Sequence, residues 1–98
     1  MNDFRVNDVL YCAWGYDQTN VDFYQVIKST EKTVWLRAID KKVVRAVNHG
    51  GDVMPILNRF STANVFIKRV KANGTIKGYD EYHCLQKWNG KPVVFTLG

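Results

Sequence analysis

Cysteine and proline are scarce in this chain of 98 residues, with two of each. Cys12 and Cys84 stand far apart, without the close-set pairs of a zinc ribbon or a disulfide scaffold. They are expected to be two buried thiols acting as small apolar side chains. No CxxC or HxxxH motif is present, and the two cysteines and two histidines, His49 and His83, fit no common metal-ligand spacing. No metal and no cofactor is expected. No apolar run approaches the roughly 18 residues that a membrane helix needs. The first residues, MNDFRVNDV, show neither the basic start nor the apolar stretch of a signal peptide, so the cytoplasm is the expected compartment.

Catalytic pairings are missing as well. A cysteine nucleophile needs a nearby base, yet the adjacent His83 and Cys84 would project to opposite faces of a strand. Asp17 and Asp22 are a carboxylate pair, but they lie in or beside a turn, where acids are common. Gly50-Gly51 lacks the following lysine and helix of a phosphate loop. The expectation is a protein that is not an enzyme and has no catalytic residues.

What is present is an ordinary folding composition, 46% hydrophobic, 13% aromatic and 23% charged. That suits one domain over residues 1–98, with no room for a second. The net charge is +5, and it is uneven. Residues 1–50 hold seven basic and six acidic side chains, while residues 51–98 hold seven basic and three acidic. A polyanionic partner is compatible with such an excess, which many other proteins share.

The dominant period along the chain is two, the mark of strands. Leu10, Cys12 and Trp14 alternate with Val9, Tyr11 and Ala13. Further strands are predicted over Val21 to Lys28, Thr33 to Ile39 and Val43 to Val47, with Asp40-Lys41-Lys42 as a connection. From Asn48 to Asn64 the alternation fails, and Pro55 argues for an irregular excursion with short edge pairing. Val65 to Val70 and Thr75 to Tyr79 flank Asn73-Gly74, the dipeptide of a tight hairpin. Asp80 to Trp88 reads as one or two helical turns, and Val93 to Thr96 as a last strand. Leu10, Trp14, Phe23, Val34, Leu36, Phe66 and Ile67 are the expected members of one core. The fold class expected is therefore mainly β, a small antiparallel SH3-like barrel or a strongly bent sheet of five to six strands with at most one short helix.

The segment WGYDQTNVDFYQV, residues 14–26, resembles a family of small proteins encoded by phages and other mobile elements. The resemblance is strongest over residues 7–39, with a weaker echo in the ending KWNGKPVVFT. It implies a phage-type accessory protein in a host cytoplasm. It brings no activity, because no chemistry is assigned to that family.

Two binding readings follow. Asp17 and Asn20 can hydrogen-bond the amides of their own loop, which needs no ligand. Alternatively Tyr16, Asp17, Gln18, Asn20 and Tyr24 form an open contact shelf that Trp35 extends. Around Asn73-Gly74, Lys68, Arg69, Lys71 and Lys77 make a basic finger for nucleic acid or a nucleoprotein, provided charge and aromatic rings share a face. The alternative is a protein-binding inhibitor of a host enzyme or host defence system, an anti-CRISPR-like role, with tyrosine and tryptophan anchors. No oligomeric state is legible.

Overall fold

The computed structural model of the chain describes residues 4–15, 17–70 and 85–97. Its strands are β1 (Val9–Trp14), β2 (Asn20–Ser29), β3 (Thr33–Val47), β4 (Gly50–Phe60), β5 (Phe66–Arg69), β6 (Gln86–Lys87) and β7 (Val93–Thr96). They form one antiparallel sheet in the order β6-β1-β2-β3-β4-β7, with β5 added to β3 beside β4. The sheet curls into a half-barrel. The curl brings β7 back to the start of β2, where the Thr96 amide donates to the Thr19 carbonyl at 3.1 Å and the Thr19 amide donates to Thr96 Oγ1 at 2.8 Å. The mainly β expectation holds in its strongly bent form, and no helix occurs among the described residues.

Successive strand residues face opposite sides, and here both sides are apolar. One cluster gathers Leu10, Cys12, Val26, Val34 and Leu36 beneath Phe4 and Leu85. The other gathers Val9, Val21, Phe23, Ile39 and Val53, flanked by Trp88 and Phe95. The sheet is thus a shared wall between two small cores, not the boundary of one. Leu10, Val26, Val34 and Leu36 have no exposed surface and Phe23 keeps 1%. Each fully buried side chain of this kind contributes about 1.5–3 kcal/mol relative to its exposed state. Of the seven residues expected in one core, Phe66 only packs against the first cluster, and two lie outside: Trp14 is 37% exposed and Ile67 62%. Trp14 sits at the strand end, where its Nε1 donates to Asp22 Oδ2 at 2.7 Å. Cys12 is a buried thiol, while Cys84 lies outside the described residues.

Three local expectations are corrected. Asp40-Lys41-Lys42 does not break the chain; it runs through the middle of the 15-residue β3, whose exposed second half tolerates charge. The segment called irregular contains the 11-residue β4. Pro55 fits there because β7 covers β4 only from Gly50 to Val53, so a missing N–H at Pro55 deprives no partner on that side. The helical turns expected over Asp80 to Trp88 are contradicted at Gln86–Lys87, which pair as β6 with Leu10 and Tyr11. The Asn73-Gly74 hairpin and its return strand lie outside the described residues, whereas its first strand is present as β5.

The lost alternation in β4 has a specific cause. Between the pairs Ile39–Phe60 and Lys41–Pro55, β3 advances two residues while β4 advances five. The extra residues bulge out through Asn58, which takes a left-handed φ of 64°. Gln25, only 1% exposed, clamps that bulge: its Oε1 accepts from the Asn58 amide at 2.7 Å, and its Nε2 donates to Asn58 Oδ1 at 2.9 Å and Asn7 Oδ1 at 3.0 Å. Asn7 is left-handed too, with φ 78°. Asparagine enters this region more readily than other residues with a Cβ. At the start of β4, side chains at Gly50 and Gly51 would collide with the Phe95 and Arg45 carbonyls, so this glycine pair allows β3, β4 and β7 to approach closely.

Two stability experiments test this account. In urea denaturation, Leu36→Ala is expected to cost about 2–5 kcal/mol, while Ile67→Ala stays within about 0.5 kcal/mol. Asn58→Gly loses only the side-chain bond to Gln25, whereas Asn58→Ala also pays the left-handed backbone cost; alanine should be worse by about 1 kcal/mol.

Candidate functional site

The hairpin connection that opens the conspicuous segment begins where Trp14 pairs with Asn20. Gly15 turns the chain at φ 129°, and a side chain there would run into the Gln18 carbonyl. Asp17 and Gln18 are exposed, Asn20 is half-buried, and Tyr16 lies outside the described residues. The hydrogen bonds anchoring this loop run from Thr19 to Thr96, not from Asp17 or Asn20. The aspartate with a structural part in the segment is Asp22, which accepts from Trp14 and pairs with Lys41 Nζ at 3.6 Å.

The contact shelf does not assemble as one surface. Tyr24 shares a side with Leu10 and Leu36, and its ring meets Phe66 edge-on at 5.8 Å. Trp35 projects to the opposite side. Its register partner Lys28 lies eight residues along β2 from Asn20, about 26 Å at the usual strand rise. Asp17, Gln18 and Asn20 remain together at one end of the sheet, apart from both rings.

A different grouping appears around Trp35. Lys28 pairs with it across β2 and β3 and holds its ammonium 4.6 Å from the ring centroid. On the other flank Trp35 faces Ile67, and two residues along Thr33 faces Arg69, so Ile67 and Arg69 share this side. Among the described residues neither Lys28 nor Arg69 is in an ion pair. Arg37, also on this side, is committed elsewhere: its guanidinium stacks over Phe60 at 4.1 Å and donates to the Thr62 carbonyl at 3.1 and 3.0 Å. Lys68, next to Arg69, points to the opposite side. The basic finger is therefore divided at its base, while Lys71 and Lys77 lie outside the described residues. Sequence alternation alone placed Trp35 and Arg69 in separate sites; only the β3–β5 register joins them.

An open cleft of about 560 Å³ lies where the β4 bulge leaves β3, lined by Asp22, Tyr24, Asp40, Lys41, Arg59 and Ser61 among others. Its carboxylates are paired, Asp22 with Lys41 and Asp40 with Arg59 Nε at 3.2 Å. That pairing leaves a polar surface already neutralised from within. His49 sits in the β3–β4 turn with φ 68°, and His83 lies outside the described residues. Among the described residues no three or more histidine, cysteine or acidic side chains stand where they could hold a metal ion, and no helix is long and apolar enough to cross a membrane.

No family model, curated protein or solved structure matches the chain. The geometry of the molecule itself therefore carries the functional reading. Gln25 was the missed signal, a lone amide on a strand side otherwise holding Val21 and Phe23.

Thr96→Val keeps the side-chain shape but removes the acceptor for the Thr19 amide, and should cost about 0.5–1.5 kcal/mol. Asp17→Ala should stay within about 0.5 kcal/mol in the same denaturation assay.

Proposed function

We propose that the chain is a small non-enzymatic accessory binding module whose Trp35 side takes single-stranded nucleic acid, free or within a nucleoprotein. One observation carries this reading: a half-buried indole flanked by Lys28 and Arg69 on neighbouring strands, so that ring and charge share a face. A base stacked on an aromatic ring contributes about 1–3 kcal/mol, and phosphates on either side find cations. Lys28 over the indole is an exposed cation–π contact of about 0.5–1 kcal/mol, weak enough to be exchanged for a phosphate as a base takes the ring. The excess of five positive charges draws a polyanion toward the molecule before contact.

The phage or mobile-element setting suggested by residues 7–39 supports a second reading, a protein-binding inhibitor of a host enzyme or defence system. Large apolar side chains left exposed near one end, Val43, Val44, Val47, Val94 and Leu97, favour it.

Titration of a labelled single-stranded oligonucleotide at several salt concentrations separates the two. Trp35→Ala should abolish the stacking contribution, and Lys28→Ala or Arg69→Ala should each flatten the log–log salt slope by about 0.7. Absence of binding at about 100 µM protein in low salt, the weak end of non-specific affinities, overturns the nucleic-acid reading.

A further inference from the structure

The β2–β3 ladder stops at the pair Phe23–Ile39, although β3 continues for eight more residues. Continuing the register would place Lys41 opposite Val21, yet only the Lys41 side chain arrives there, its Nζ donating to the Val21 carbonyl. From Lys41 to Val47 the strand is paired on its β4 edge, and no strand among the described residues pairs with its other edge. All seven residues are exposed, Val43 at 56%, Val44 at 44% and Val47 at 50%. Alongside lies a groove of about 250 Å³, lined by Thr19, Val21, Val43, Val53, Phe95 and Leu97 among others.

We infer that this edge of β3 is a seat for an extended segment of a partner protein in which apolar and acidic residues alternate. An open edge offers backbone donors and acceptors, and an added strand of about six residues would run along its roughly 23 Å. The two sides of the seat differ. Val43 pairs with Val53 and so lies on the side of the second core and its groove. Lys41 lines that groove as well, but its Nζ is held by the Val21 carbonyl and Asp22, and the lining formed by Val43, Val53, Phe95 and Leu97 takes apolar side chains. Lys42 pairs with Met54 and Arg45 with Asp52, which places both cations on the other side. Arg45 forms no ion pair with Asp52. Every second side chain of the incoming strand thus meets apolar surface, and the intervening ones meet positive charge. Charge argues against a second copy of this chain as the occupant: two such edges paired antiparallel about Val43 and Val44 would set Lys42 opposite Arg45 of the other copy twice over, and like charges across a ladder are unfavourable. An acidic strand removes that repulsion. This seat is separate from the Trp35 face, so either can fail alone.

The test is an anisotropy titration with a labelled peptide of alternating valine and glutamate. Comparators are an alternating valine–lysine peptide and a peptide of the first composition with its alternation broken. The valine–glutamate peptide should bind best and slow amide exchange at residues 42–47. The double variant Lys42→Glu/Arg45→Glu changes only exposed side chains. It should weaken binding about tenfold or more and shift preference to the valine–lysine peptide. Trp35→Ala should leave the affinity unchanged. Equal binding of the broken-pattern peptide, indifference to the charge reversal, or no binding of the alternating peptide would overturn the inference. So would concentration-dependent dimerisation that itself protects residues 42–47, which would make the occupant a second copy.

Discussion

Gln25 is the one polar side chain buried among the described residues, and the course of β4 depends on it. A buried amide is costly unless its hydrogen bonds are made, and it is held here by Asn7 on one side and by backbone and side chain of Asn58 on the other. Those partners are available only if β4 bulges over the centre of β2. The bulge resets the β3–β4 register, and beyond it β3 follows β4 and parts from β2. The cleft at Asp22 and Asp40 and the open edge beyond Lys41 both lie along that divergence. Two left-handed asparagines and one glutamine thus set where this sheet opens.

The parts of the fold legible in the sequence are those where a run of apolar and aromatic residues is bounded by polar turn residues. Val9–Trp14 and the body of Asn20–Ser29 were read nearly to their ends. Reading failed where charged residues or a proline enter a strand. The second half of β3 is exposed on both sides, so its charges resembled a turn. In β4, Pro55 and the bulge at Asn58 interrupted a period that the strand resumes around them. Two cores, one on each side of the sheet, also explain why residues assigned to a single interior belong to different clusters. Leu10 and Phe23 are both fully buried, yet their side chains lie across the wall from each other.

The candidate surfaces were less legible, for a topological reason. Trp35 and Arg69 are 34 positions apart, and nothing local couples them; antiparallel addition of β5 to β3 puts them on one side. The same pairing separates Lys68 from Arg69, which charge counting had treated as one basic patch. Tyr24 was drawn into packing against Phe66, because an aromatic ring beside an apolar cluster gains more from burial than from solvent. The loop residues Asp17 and Gln18 stayed exposed, but the bonds that fix their connection belong to Thr19, a residue that carries no distinctive motif.

The clasp between Thr19 and Thr96 also bears on how the chain reaches this shape. It joins positions 77 apart in sequence, whereas the β1–β2 hairpin closes between Trp14 and Asn20, six positions apart. Loop-closure entropy makes the longer connection harder by about 2 kcal/mol, so the hairpins have a head start over the docking of β7. A chain growing on the ribosome cannot make the clasp until Thr96 has emerged. Until then the start of β2 and the first residues of β4 lack their last neighbour, and the half-barrel is held open by the order of synthesis itself.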